Sequence, residues 1–262
     1  MNNILEVNNL TMDFGGLRAI DSFAMNIRQG EIVALIGPNG AGKTTFFNCI
    51  TGIYTPTGGD ISIAPPDKKQ KRINGLKPNI ITKLGMARTF QNIRLFPNMT
   101  VLENVMIGRH CRTSAGILGA IVRGRSTIRE EKEIVESSYA ILGRFGLMNF
   151  ADELAKNLPY GEQRRLEIAR AMATGPFLLL LDEPAAGLNA QETRELDDLI
   201  TKIRDEEKIS ILLIEHDMKL VMSISDRIVV MDHGSGISEG TPDEIRNDPI
   251  VIKAYLGEEF VA

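Results

Sequence analysis

Cysteine is nearly missing. The 262 residues contain two, Cys49 and Cys111, too few for a disulfide framework, and reduced thiols in the cytoplasm are the reading that follows. Long apolar runs are missing too: Phe177 to Leu181 and Ala115 to Val122 fall far short of the ~20 residues a membrane-spanning helix needs. Nor is there an excess of positive charge. Thirty Lys and Arg stand against 34 Asp and Glu, a formal net charge of −4, which argues against a surface that coats nucleic acid. The start, MNNILE, has neither the basic residues nor the apolar stretch of a secretory leader, and no internal repeat occurs. What is present is ordinary: 43% hydrophobic residues, enough for one large core or a core with a subdomain. The expectation is a soluble intracellular protein.

Three short apolar runs organise the chain. Glu31 to Ile36 (EIVALI) precedes a glycine cluster, Phe177 to Leu181 precedes Asp182-Glu183-Pro184, and Ile209 to Ile214 precedes Glu215-His216-Asp217. Runs of this length and composition suit buried parallel strands, and the charged amphipathic stretch from about Glu192 suits a helix between the last two. Strand, helix, strand with polar residues at strand ends predicts a parallel α/β sheet, in which ligands collect beyond the carboxyl ends of strands. Ile4 to Phe14 is β-compatible and ends in a Gly15-Gly16 turn. Thr100 to Asn157 reads as helical, with a strongly charged segment around Ile128 to Ser138. Near the end, Arg227 to Met231 reads as a strand, Gly234 to Gly236 as a turn, and Ile237 as part of another strand. Thr241-Pro242-Asp243-Glu244 has the form of a helix start: a cap, a proline at the first position, then acidic residues.

The chemistry lies at the strand ends. Gly37-Pro38-Asn39-Gly40-Ala41-Gly42-Lys43-Thr44 matches G-x4-G-K-[ST], followed by Thr45. Its glycines let successive backbone N–H groups turn toward anionic oxygens, and the following helix adds its positive dipole end. Lys43 is suited to the β- and γ-phosphates and the Thr44 hydroxyl to Mg²⁺. Asp182 closes the second apolar run, where it can hold Mg²⁺ through water, while Glu183 can deprotonate a water that attacks the γ-phosphate. His216 ends the third run; on its own it suits a structural histidine and a γ-phosphate contact equally.

The order of these motifs resembles the ATP-binding cassette (ABC) ATPases over essentially the whole chain. Gln91 in Arg88-Thr89-Phe90-Gln91 looks like the family's Q-loop glutamine, a Mg²⁺ or water contact. Leu158-Pro159-Tyr160-Gly161-Glu162-Gln163 stands where the family has LSGGQ, Ala186-Gly187-Leu188-Asn189 resembles the D-loop, and His216 the switch histidine. Phe14 takes the place of the aromatic that stacks on adenine. Pro159 and Tyr160 replace Ser and Gly, Glu162 replaces Gln, and Asn189 replaces the D-loop Asp, so a serine hydroxyl and a carboxylate at the dimer seam are lost.

The resemblance implies a P-loop NTPase (RecA-like) α/β core with an antiparallel β subdomain and an inserted helical subdomain. Residues 1–91 and 176–262 would form the core, and 92–175 the helical part ending in the signature helix. It implies ATP/ADP and Mg²⁺ as ligands, and a second ATPase subunit (a copy or a related paralogue) whose signature meets the first subunit's P-loop. RTFQNIRLFPNMTVLENV, LPYGEQRRLEIARAM, IEHDMKLVMSISDRIVVMDHG and the ending Ala254 to Glu259 are similar to the ATPases of bacterial branched-chain amino acid importers, the first of their two related subunits. That family implies two membrane permeases, an external binding protein, no nucleic acid, and a place on the cytoplasmic face of the inner membrane. Arg94, Leu95 and Phe96 are candidate permease-facing residues. Urea importers and the lipopolysaccharide-exporting ATPase share similar tails. A P-loop kinase would need an acceptor pocket and an arginine-bearing lid, and a non-transport ABC regulator paired cassettes or coiled-coil insertions.

Overall fold

The computed structural model describes residues 2–112 and 125–256. The run Ala115 to Val122 and the ending Gly257 to Glu259 lie outside the described residues. Two compact units emerge, one of Met1–Arg88 with Phe177–Ala262, the other Thr89–Pro176.

Among the described residues, the first unit carries all ten strands: β1 (Asn3–Phe14), β2 (Leu17–Arg28), β3 (Ile32–Ile36), β4 (Gly58–Ile63), β5 (Lys71–Arg72), β6 (Met86–Arg88), β7 (Leu178–Asp182), β8 (Ser210–Ile214), β9 (Arg227–Asp232) and β10 (Ser235–Gly240). They form a sheet of order β2-β1-β4-β5, antiparallel throughout, and a six-stranded sheet of order β10-β9-β3-β8-β7-β6. In the second sheet only β10 runs antiparallel to its neighbour. β3, β7 and β8 are buried at every position, as strands covered on both faces must be. Successive side chains on β3 serve different cores. Val33 and Leu35 join Phe23, Phe46, Phe47 and Ile61, while Ala34 and Ile36 join Val221, Val230, Ile245 and Val251. Phe46 and Phe47 come from the helix Lys43–Ile50, and Phe46 meets Phe23 of β2 edge-on at 5.1 Å.

Two local expectations shift. The β9–β10 turn lies at His233-Gly234, whose φ values of 44° and 80° are the pair a tight hairpin turn needs, so Ser235 and Gly236 belong to β10. The helix expected from about Glu192 spans Ala190–Glu207, because Asn189 caps it.

The second unit has helices Val101–Arg109, Arg125–Arg144 and Tyr160–Ala173. Thr100 and Glu103 close a capping box on the first. Gly108 lets that helix approach the third so closely that a Cβ there would stand 2.4 Å from the Arg170 carbonyl oxygen. The expected core boundary at Gln91 moves to Arg88, since Arg164 binds the carbonyl oxygens of Phe90 and Gln91, both at 2.9 Å. No described helix is long and apolar enough to cross a membrane.

Candidate functional site

Three neighbouring strands, β3, β8 and β7, end beside one another, and their carboxyl ends deliver Gly37, Glu215-His216 and Asp182-Glu183. The loop after β3 is shaped by glycine at two points of close approach. A Cβ on Gly37 would stand 1.9 Å from the Met231 carbonyl oxygen, and one on Gly42 2.7 Å from that of Ala19. Gly42, at φ 105°, starts the helix Lys43–Ile50 with no side-chain cap and no acidic residue in its first turn. Its N-terminal N–H groups therefore remain for an anion.

Lys43 lies under this loop, 6% exposed, its Nζ donating to the carbonyl oxygens of Gly37 (2.7 Å) and Pro38 (2.9 Å). Burial lowers its pKa, against the pull of the Glu183 and Asp182 charges. Asn39, Gly40 and Thr44 are exposed, Pro38, Gly42 and Thr45 half-buried, and Ala41 is buried. Burial raises the pKa of the Tyr255 hydroxyl, and the nearby Gly37 backbone N–H opposes that shift. Phe14 is 41% exposed and meets Tyr54 edge-on at 5.3 Å.

Glu183 sits at φ 48°, a left-handed conformation that β-carbon residues rarely hold, fixed by its N–H donating to the Ile214 carbonyl oxygen at 2.9 Å. From there its Oε1 lies 3.0 Å from His216 Nε2. Glu215, 3% exposed, braces both sides: Oε1 accepts from Ala185 N–H (2.7 Å) and Oε2 from His216 N–H (3.0 Å). Burial raises the pKa of Glu215, and these backbone bonds oppose that shift.

Asp182 has a partner that the sequence reading missed. Arg88 donates from one guanidinium nitrogen to Asp182 Oδ2 (2.7 Å) and from the other to Asn48 Oδ1 (2.7 Å) and Thr51 Oγ1 (3.2 Å). The only hint in the sequence was an arginine directly before Thr89-Phe90-Gln91. Breaking this buried pair with Arg88→Met is expected to destabilise the protein by about 3–5 kcal/mol, read as a lower urea midpoint with unchanged slope.

Gln91 and Pro159 to Glu162 belong to the second unit. Gln91 is exposed, as are Pro159 and Tyr160. Pro159 occupies the N-cap position of its helix without a side-chain cap, Gly161 follows in the first turn, and Glu162 lies 3.9 Å from Arg165. Asn189, in the first unit, caps the helix Ala190–Glu207: its Oδ1 accepts from the N–H of Gln191 (2.9 Å) and Glu192 (3.0 Å). Asn caps a helix as well as Asp, so the replacement costs that helix nothing.

Nucleotide and magnesium fit these donors. The loop keeps its curve only because Gly37 and Gly42 carry no Cβ to collide with the Met231 and Ala19 carbonyl oxygens, and a buried amine lies beneath it. Among the described residues no cluster of three or more His, Cys, Asp or Glu stands ready for a metal. A hydroxyl (Thr44) and a carboxylate (Asp182) instead suit Mg²⁺, which keeps waters and is shared with substrate phosphates.

Residues 20–186 match the ABC transporter family, and residues 237–261 match the branched-chain amino acid ATP-binding cassette transporter family. The chain belongs to the ABC transporter family. It is therefore an ATPase cassette, of a family whose members hydrolyse ATP to drive transport. It is 51% identical over 255 residues to the high-affinity branched-chain amino acid transport ATP-binding protein LivG of Salmonella typhimurium, covering 97% of this chain and 98% of that one. The ADP conformation of an ATP-binding cassette of an ABC transporter superposes with a TM-score of 0.84 at 31% identity, over 98% of this chain and all of the other. A dimeric post-hydrolysis cassette bound to ADP and Pi gives 0.74 at 26% identity, over 91% and 99%. The cassette fold, with its parallel core and antiparallel sheet, is that expected of the family.

Proposed function

We propose that this cassette is the ATP-hydrolysing subunit of a branched-chain amino acid importer, peripheral to the cytoplasmic face of the inner membrane. The observation that carries the reading is the 51% identity to LivG across 97% of the chain, joined by the match of residues 237–261 to the branched-chain amino acid cassette family. Its partners in this reading are a second ATPase subunit, two permeases and, through them, an external substrate-binding protein. The dimeric relative with ADP and Pi supports the paired arrangement.

Each residue has a task in the proposed reaction. The loop Gly37 to Thr45 and Lys43 bind the phosphates, and Phe14 stacks on adenine. Thr44 and Asp182 would hold Mg²⁺ with the phosphates, Gln91 being the further ligand that the family resemblance implies, and the ion would supply neutralisation of charge on the transferred group. Glu183 takes the proton of the attacking water as its oxygen bonds to the γ-phosphorus and the bond to ADP breaks. His216 exchanges the Glu183 carboxylate for the γ-phosphate. Gly161 and the uncapped helix start at Tyr160 meet that phosphate from the other subunit, with Pro159 and Glu162 beside them and Asn189 at the seam. Only contacts with the γ-phosphate distinguish ATP from ADP, so these residues serve as switch and catalyst at once.

The test is purification of the tagged full chain from native membranes, then ATP-driven uptake in proteoliposomes of whatever co-purifies. Integral permeases and uptake of leucine, isoleucine or valine are expected. Uptake of urea alone, or recovery only with ribosomes or DNA, contradicts the reading.

A further inference from the structure

Arg164 is fully buried at 0% exposure, and its partner Glu167 is 1% exposed. Both lie on the helix that starts at Tyr160. A buried ion pair is expensive to desolvate, and apolar residues of similar volume often hold a helix as well. What this pair provides is a set of bonds that apolar side chains lack. One guanidinium nitrogen of Arg164 donates to the Phe90 carbonyl oxygen and to Glu167 Oε2, both at 2.9 Å. The other donates to the Gln91 carbonyl oxygen (2.9 Å) and to the Tyr160 hydroxyl (3.3 Å). Glu167 Oε1 accepts from the Arg94 N–H at 3.2 Å. The Arg94 guanidinium in turn stacks over the Phe90 ring, 4.2 Å from its centroid. A single pair thus grips the main chain on both sides of Gln91 and the first residue of the helix.

We propose that Arg164 and Glu167 are positioning residues for hydrolysis, locking the Phe90–Arg94 main chain to the helix start at Tyr160 so that Gln91 and the signature residues move as one body. The inference rests on the proposed tasks of Gln91 and residues 159–162; neither Arg164 nor Glu167 touches nucleotide. It requires a planar fork at 164, because an ammonium cannot reach two carbonyls, a carboxylate and a phenol together.

Two variants test it in the full-length protein: Arg164→Lys, which keeps the charge and loses the fork, and the apolar pair Arg164→Met with Glu167→Met. Backbone hydrogen exchange is measured without nucleotide, then MgATP affinity, kcat and KM. In both variants exchange is expected to quicken together in residues 89–96 and in the first hydrogen-bonded turn of the helix, from Gln163 to Glu167. MgATP affinity and KM should hold, while kcat falls about 10- to 100-fold, the scale for misplaced groups that take no part in the chemistry. Wild-type exchange and kcat in the double variant, quickening of one segment alone, or an unchanged kcat with Lys at 164 overturns the proposal. A wild-type chain that binds no MgATP strikes the proposed function instead, and the exchange pattern still decides whether the link exists.

Discussion

Replacing Glu183 by Gln is expected to leave MgATP bound and to slow its hydrolysis by about 10²–10⁴-fold, the usual contribution of a positioned general base. The substitution is close to isosteric, and Gln meets the same left-handed backbone strain that Glu183 already bears at φ 48°. The amide also keeps a polar partner for His216 Nε2, now 3.0 Å from the carboxylate. It cannot accept the proton of the attacking water. Removing one negative charge beside the γ-phosphate leaves binding as tight as before or tighter, while Asp182 still opposes the Lys43 ammonium. Single-turnover hydrolysis separates the outcomes. A near-normal rate constant removes Glu183 from the role of base; lost binding shows instead that it shapes the cradle.

Replacing Lys43 by Ala is expected to weaken MgATP binding about 10- to 150-fold, since a hydrogen bond to a charged group contributes about 1.5–3 kcal/mol. The geometry explains why this lysine matters beyond its charge. Its Nζ donates to the Gly37 and Pro38 carbonyl oxygens at 2.7 and 2.9 Å, so the loop is kept in shape by the same group that is proposed to meet the phosphates. Ala removes both the ligand contact and the internal brace. The chain should still fold, because the core beneath is built by Phe46, Phe47 and Ile50 of the same helix. Calorimetric titration decides it; an unchanged dissociation constant contradicts the cradle.

The cradle was legible in the sequence because its parts are contiguous. A buried strand, eight motif residues and a helix follow one another, and the glycines stand where a Cβ would collide with Met231 or Ala19. Strand order was less so. That β3 lies beside β8 follows from the pairing of Ile32 with Ile211, far apart in the chain, which no local pattern encodes. The same distance hid Arg88 from Asp182, 94 positions apart, and Arg164 from Gln91, 73 apart. Such charges are indistinguishable in sequence from the solvated ones at Lys68 or Lys69 until burial is known. Asn189 has a further, local duty that only the structure displays: its side chain caps the next helix, a role Asn and Asp fill equally.

In the proposed function the terminal phosphate bound at the Gly37 loop is met by residues of a second cassette. Sedimentation velocity of the Glu183→Gln chain, together with any ATPase subunit that co-purifies with it, tests this most directly. A two-cassette species that forms in MgATP and dissolves in MgADP is predicted. Sedimentation that ignores the nucleotide, in a protein shown by calorimetry to have bound ATP, contradicts it.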